Sequence, residues 1–122
     1  MGKKVMIVDD EPHVVELVRA LLEQEGFEVI IAYSGQECLE KLKDVKPDLI
    51  LLDMMMPGIS GRETCEKIRA NPKTKNLKVA FLTVARFSEV GKKTLEKMKV
   101  LDYITKPFDN DDLIRSVKKI IG

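Results

Sequence analysis

Several features that would announce a function are scarce in this chain. No apolar run approaches the ~20 residues that a membrane helix needs. Met1-Gly2-Lys3-Lys4 leads into only about four apolar residues, too few for a signal peptide. The expected compartment is therefore the cytosol, with no membrane partner. The single histidine, His13, lacks companions for a transition-metal site and reads as a solvated residue in the first turn of a helix. Two cysteines, Cys38 and Cys65, have no CxxC spacing and fall within helical patterns, as small buried apolar groups do. Excess charge of either sign is missing: 21 Lys and Arg oppose 20 Asp and Glu, a net +1, so no global field holds the chain to nucleic acid or lipid. Neither a linker nor a low-complexity segment is visible. The 122 residues suit one domain, 1–122, that buries roughly two-thirds of its unfolded surface around one core.

What is present is a regular alternation of short, solid apolar runs with helical apolar faces. The runs predict strands at 5–8, 28–32, 49–52, 78–83 and 103–105. Between the first two, Pro12 suits a first helical position. Val14, Leu17, Val18, Leu21 and Leu22 then recur with helical spacing until Gly26. Ser34 with Glu37 is a capping-box signature ahead of Cys38, Leu39 and Leu42, and Pro47 blocks continuation. A third helix from about Arg62 carries Cys65 and Ile68 inward and closes at Asn71-Pro72. A fourth is expected over 88–99 with Val90, Leu95 and Met98 as its apolar residues. Asp109 caps a last helix with Leu113, Val117, Ile120 and Ile121 inward. Strands that are apolar throughout are covered by helices on both faces, which predicts an α/β fold with a doubly wound parallel sheet.

Ligands of such sheets bind at the carboxyl ends of the strands. There the first run delivers Asp9-Asp10-Glu11, the third Asp53, the fourth Thr83 and the fifth Lys106-Pro107. Alone, the acidic pair reads as well as a helix N-cap that complements the dipole. Three carboxylates together repel one another unless a cation neutralises them. A hard divalent ion answers that need, and Mg²⁺ is favoured because it takes one or two carboxylates, keeps waters and completes its shell with phosphate oxygen. Lys106 is either a solvated surface lysine or the positive charge for an anion. Met54, Met55 and Met56 read as loop and core filling rather than a copper site. Lys92, Lys93, Lys97 and Lys99 form a solvated helix face or a surface for an acidic partner.

Asp9-Asp10-Glu11-Pro12, Asp53-Met54-Met55-Met56-Pro57-Gly58, Thr83 and Asp102-Tyr103-Ile104-Thr105-Lys106-Pro107-Phe108 are specific as a set. In this order and spacing they resemble the receiver domain of two-component response regulators, chemotaxis regulators among them, over essentially the whole chain. The resemblance implies a flavodoxin-like sheet of five parallel strands in the order 2-1-3-4-5 with five helices. It implies that Asp53 is the phosphoacceptor, attacking the phosphohistidine of a sensor histidine kinase or phosphotransfer protein. Asp10, Asp53 and the Met55 backbone carbonyl would bind Mg²⁺ directly and Asp9 through a water, with Mn²⁺ able to substitute. Lys106, Thr83 and the backbone amides of Met54 and Val84 would hold the phosphoryl group. Thr83 and Tyr103 would form a switch pair and Pro107 would be cis. The face of the fourth helix, fifth strand and fifth helix would then change and control a downstream protein or output domain. The implied protein is a monomer or a phosphorylation-dependent dimer, a regulator that promotes its own phosphorylation rather than an enzyme.

Outside the resemblance, Thr83 reads as a β-branched strand residue and Tyr103 as a half-buried aromatic. Side chains at Met55 and Ala85, which tune phosphoryl lifetime in receivers, offer no hydrogen bond to an attacking water, so slow self-dephosphorylation is expected. Two departures stand out. Val84 occupies a position that is usually very small, and Lys99-Val100-Leu101 replaces a Gly-Ala turn, leaving the fourth helix without a glycine stop. A haloacid-dehalogenase-type phosphatase with an aspartyl-phosphate intermediate would want an Asp-x-Asp pair and a cap insertion. Asp9-Asp10-Glu11 supplies neither. A phosphate-independent pseudo-receiver would lack some chemically required position, and here every one is filled. No recognition helix or basic arm is visible, so direct nucleic-acid binding by this domain is not expected, and a full-length chain would signal through protein contacts.

Overall fold

Alternate residues along the central strands point to opposite faces, and in this chain both faces are apolar. Val5, Ile7, Leu49, Leu51, Ala80 and Leu82 enter one buried layer, while Met6, Val8, Ile50, Leu52, Val79 and Phe81 enter the other. The computed structural model describes residues 2–83 and 96–122. The described elements are β1 (Lys4–Val8), α1 (Pro12–Gln24), β2 (Glu28–Ala32), α2 (Gly35–Lys41), β3 (Leu49–Asp53), α3 (Gly61–Ala70), β4 (Val79–Thr83), β5 (Tyr103–Thr105) and α4 (Asn110–Ile121). All strand pairs are parallel, in the order β2-β1-β3-β4-β5. The expected flavodoxin-like, doubly wound sheet is therefore observed. Helices α1 and α4 cover the first layer through Val15, Val18, Leu22, Leu113, Val117 and Ile121. Helices α2 and α3 cover the second through Cys38, Leu42, Cys65 and Ile68.

The register of α1 differs from the expectation. Leu17, assigned inward, is 44% exposed, and Val15 is buried with Val18 and Leu22. The stripe at 15, 18 and 22 faces the sheet, and Leu17 lies about 100° away from Val18 around the helix. Strand and helix ends otherwise shift by about a residue: β1 begins at Lys4, β3 includes Asp53, β4 starts at Val79 and α3 starts at Gly61. The helix expected over 88–99 lies largely outside the described residues. At its described end Lys99 takes φ 58, the left-handed conformation a glycine stop would have supplied. Cys38 and Cys65 are free and fully buried, and burial with Cys65 nearby pushes the Cys38 thiol up to about 12. No described helix is long and apolar enough to cross a membrane.

Candidate functional site

Because every strand runs the same way, all carboxyl ends share one rim. Register pairs Val8 with Leu52, Asp53 with Leu82 and Thr83 with Thr105. Asp9, Asp53, Thr83 and Lys106 therefore stand side by side at successive strand ends. Backbone bonds carry the sheet slightly past them: the Asp9 amide donates to the Ala32 carbonyl at 3.1 Å, Met54 to Leu82 at 3.0 Å and Lys106 to Thr83 at 2.7 Å.

The side chains converge. Asp9 is fully buried; its Oδ1 accepts from the Glu11 amide at 2.9 Å and its Oδ2 from Lys106 Nζ at 2.6 Å. Lys106 Nζ also lies 3.5 Å from Asp53 Oδ2 and 3.9 Å from Glu11 Oε1, with its side chain only 10% exposed. Asp53, itself buried, accepts the Met55 amide at Oδ1, 3.2 Å away. One carboxylate oxygen from each of Asp9, Asp10 and Asp53 lies within 4.8 Å of the others. Burial, then the Asp9 charge, pushes the Asp53 carboxyl up to about 6, against the smaller opposing pull of the Met55 amide and Lys106. Burial pulls the Lys106 ammonium down, but the Asp9 hydrogen bond and the charges of Asp53, Asp9 and Glu11 together hold it above its ordinary value.

This donor set fits a hard divalent cation. It offers oxygen only, and three ionised carboxylates against one ammonium would leave two negative charges uncompensated, a repulsion that adds to burial in opposing ionisation of Asp53. Loaded with such an ion, the rim has one buried carboxylate able to act as nucleophile and one ammonium beside it to receive an anion.

Of the residues anticipated from sequence, Asp9, Asp10, Asp53, Thr83 and Lys106 are brought to one place. The Lys106-Pro107 peptide is cis. Met54 and Met55 follow Asp53 directly; the Met54 amide is engaged by Leu82, and the Met55 side chain is 66% exposed. Tyr103 sits in β5 level with Phe81, partly buried against the α2/α3 layer. Val84 and Ala85, with Lys92 and Lys93, lie outside the described residues.

Gly61, with no side chain to mark it as part of a site, is buried at the start of α3 and its amide donates to the Met54 carbonyl at 3.0 Å. A Cβ there would overlap the Asp53 carbonyl oxygen and come within 2.7 Å of Met54 Cα. Gly61 thus sets how closely α3 approaches Asp53. The signal for it was Ser60-x-x-Glu63, a full capping box that places Gly61 inside the helix: Ser60 Oγ accepts from the Glu63 amide and Glu63 accepts from the Ser60 amide.

A sequence profile described as response regulator receiver domain matches residues 5–118. Among solved structures, response regulator TrrA of Thermotoga maritima, in complex with Mg²⁺-BeF, is 37% identical, with 98% of this chain and 99% of that chain covered and a TM-score of 0.82. Chemotaxis protein CheY4 of Vibrio cholerae is 26% identical, covers 99% and 100%, and has a TM-score of 0.91. The signal receiver domain of a signal transduction histidine kinase from Syntrophus aciditrophicus is 27% identical, covers 98% and 90%, and has a TM-score of 0.87.

Proposed function

The chain belongs to the response regulator receiver domain family, and on that premise we propose that it is a phosphorylatable switch whose Asp53 accepts a phosphoryl group from a sensor histidine kinase or phosphotransfer protein. One observation carries the reading: the oxygens of Asp9, Asp10 and Asp53 gather within 4.8 Å beside an ammonium that reaches two of these carboxylates.

In the proposed reaction an Asp53 carboxylate oxygen attacks phosphorus and forms the acyl-phosphate bond. The bond from phosphorus to the donor imidazole breaks, and its electron pair leaves with the imidazole. A carboxylate needs no general base for this, so positioning and charge neutralisation do most of the work. Asp10, Asp53 and the Met55 carbonyl would hold Mg²⁺ or Mn²⁺ directly, with Asp9 acting through a water; the metal supplies neutralisation of the phosphoryl oxygens. Lys106, already between Asp9 and Asp53, shifts toward the new anion. Thr83 adds its hydroxyl, and Met54 and Val84 their backbone amides, Met54 in exchange for its bond to Leu82.

Phosphorylation adds about −1.5 to −2 charge and three acceptor oxygens. Thr83 and Tyr103 are the proposed responders, on neighbouring strands: as Thr83 moves to the phosphoryl group, Tyr103 turns further into the layer it already touches. The β5 face with its flanking helices then favours the form that binds a downstream protein or output domain. Met55 and Ala85 present nothing to orient a hydrolytic water, which gives a long-lived phosphoryl group. Incubation with Mg²⁺ and a small-molecule phosphodonor, read by intact mass, is expected to add one phosphoryl group to the parent and none to Asp53→Ala. Equal modification of both proteins removes Asp53 from this role.

A further inference from the structure

The net charge of +1 conceals a strong asymmetry. Residues 67–78 contain Lys67, Arg69, Lys73, Lys75 and Lys78 and not one Asp or Glu. They form the end of α3 and the loop into β4, at the opposite end of the strands from Asp53. Arg69 draws two more lysines to this surface. Its guanidinium donates to the carbonyls of Leu77 (2.6 Å) and Lys75 (2.9 Å) in the loop, and to Met98 (2.6 Å) and Lys99 (3.2 Å) in the turn before β5. Lys75, Lys78, Lys97 and Lys99 form no ion pair with any described residue, whereas Arg19, Lys41, Lys43, Arg62, Arg115 and Lys118 all do.

Two adjoining grooves of 210 and 280 Å³ share Arg69, Lys75, Asn76 and Lys99. Leu77, Lys78 and Leu101 extend the first, Lys97 and Met98 the second. Leu101 is 51% exposed, an aliphatic side chain left in water in the groove it shares with Lys75, Lys78 and Lys99, of which Lys78 donates to the Ile120 carbonyl at 3.4 Å.

We propose that this surface docks an acidic polypeptide segment of a partner protein, one that carries an aliphatic side chain between its carboxylates. The lysines supply point charges that suit single carboxylates, and Leu101 supplies the apolar contact. Nucleic acid is the poorer fit. Among the described residues that line the grooves, the one guanidinium is occupied by four carbonyls instead of being free to fork onto phosphate, and there is no aromatic ring for base stacking. The site shares no residue with the Asp53 rim and does not depend on phosphorylation.

The test is fluorescence anisotropy of the unphosphorylated protein with a labelled peptide of four Glu-Glu-Leu repeats, at low and moderate salt. Binding is expected, weakened by salt. The variant Lys75→Glu/Lys78→Glu/Lys97→Glu is expected to lose about tenfold or more in affinity, as reversal of directly contacting charges requires. Leu101→Ser is expected to lose several-fold. A control with the same change in net charge, Arg19→Glu/Arg62→Glu/Arg115→Glu, is expected to lose much less. Circular dichroism confirms that each variant is folded. Absence of binding overturns the proposal, as does an equal loss in control and patch variants. Tighter binding of a 12-nucleotide single strand or of phosphatidylserine vesicles by the parent overturns the assignment of the partner as a polypeptide.

Discussion

Replacing Asp53 with Asn probes the electrostatics of the rim before any phosphoryl group arrives. Burial and the neighbouring Asp9 push the Asp53 carboxyl up to about 6 from 3.8. An unfolded chain releases this proton near 3.8 and the folded one near 6, so between these values the native state binds more protons than the unfolded state. The contribution of Asp53 to stability is thus fully present below about pH 4 and is lost as pH rises through about 6. At about 1.4 kcal/mol per pH unit the gap amounts to about 3 kcal/mol. Asparagine keeps an oxygen for the Met55 amide and carries no charge, while Lys106 retains Asp9 at 2.6 Å. In urea unfolding with EDTA, Asp53→Asn is expected to match the parent at pH 4 and exceed it by about 1–3 kcal/mol at pH 7. Mg²⁺ is expected to narrow the difference at pH 7, because the ion stabilises the native parent through its complete carboxylate set. A variant no more stable than the parent at pH 7, or a difference that stays constant from pH 4 to 8, refutes this account.

Arg69→Ala removes a guanidinium that bonds four carbonyls and leaves several of them without a partner. A loss of about 2–4 kcal/mol in urea unfolding is expected, with faster hydrogen exchange at the Leu101 amide, which bonds the Val79 carbonyl. Gly61→Ala forces α3 away from the Asp53 backbone; it is expected to slow phosphorylation at Asp53 by about tenfold or more, a 1 Å displacement being enough for such losses. Unchanged phosphorylation kinetics would show that Gly61 does not position Asp53. The corrected face of α1 is tested by a pair of substitutions: Val15→Ala is expected to cost about 1.5–3 kcal/mol through a core cavity, and Leu17→Ala to stay within about 0.5 kcal/mol.

Strands β1 and β3 were legible because each is apolar on both sides and runs into a carboxylate, and even the three residues of β5 stand out ahead of Lys106-Pro107. The rim was legible for a related reason. A parallel sheet sends every strand end to one edge, so Asp9, Asp53, Thr83 and Lys106 could be assembled from their positions after four apolar runs. The face of α1 was not legible, because Val14, Val15, Leu17, Val18, Leu21 and Leu22 support two overlapping stripes and only packing on the sheet selects between them. At α2, Ser34 caps the Glu37 amide as expected, but the Glu37 carboxylate accepts from Tyr33 instead of the Ser34 amide, a choice set by the entering backbone. Arg69 was invisible for a different reason. A cation near a helix end reads as solvated, and its acceptors are carbonyls from separate chain segments, which leave no mark in side-chain identity.

Near-neutrality excluded a global field, but it did not exclude a polar molecule. The rim carries more carboxylate than ammonium, and the far end of the sheet carries lysines with no described counter-charge. The two ends therefore attract opposite kinds of partner. A phosphoryl donor is an anion, and the metal-free rim repels it, whereas an acidic polypeptide meets attraction at the opposite end whether or not a cation is bound. With a Debye length of about 8 Å at physiological ionic strength, the charges of one end are largely screened at the other. Separation along the strands is thus the physical reason that the proposed docking at the lysine surface and the proposed phosphoryl transfer to Asp53 would not exclude each other.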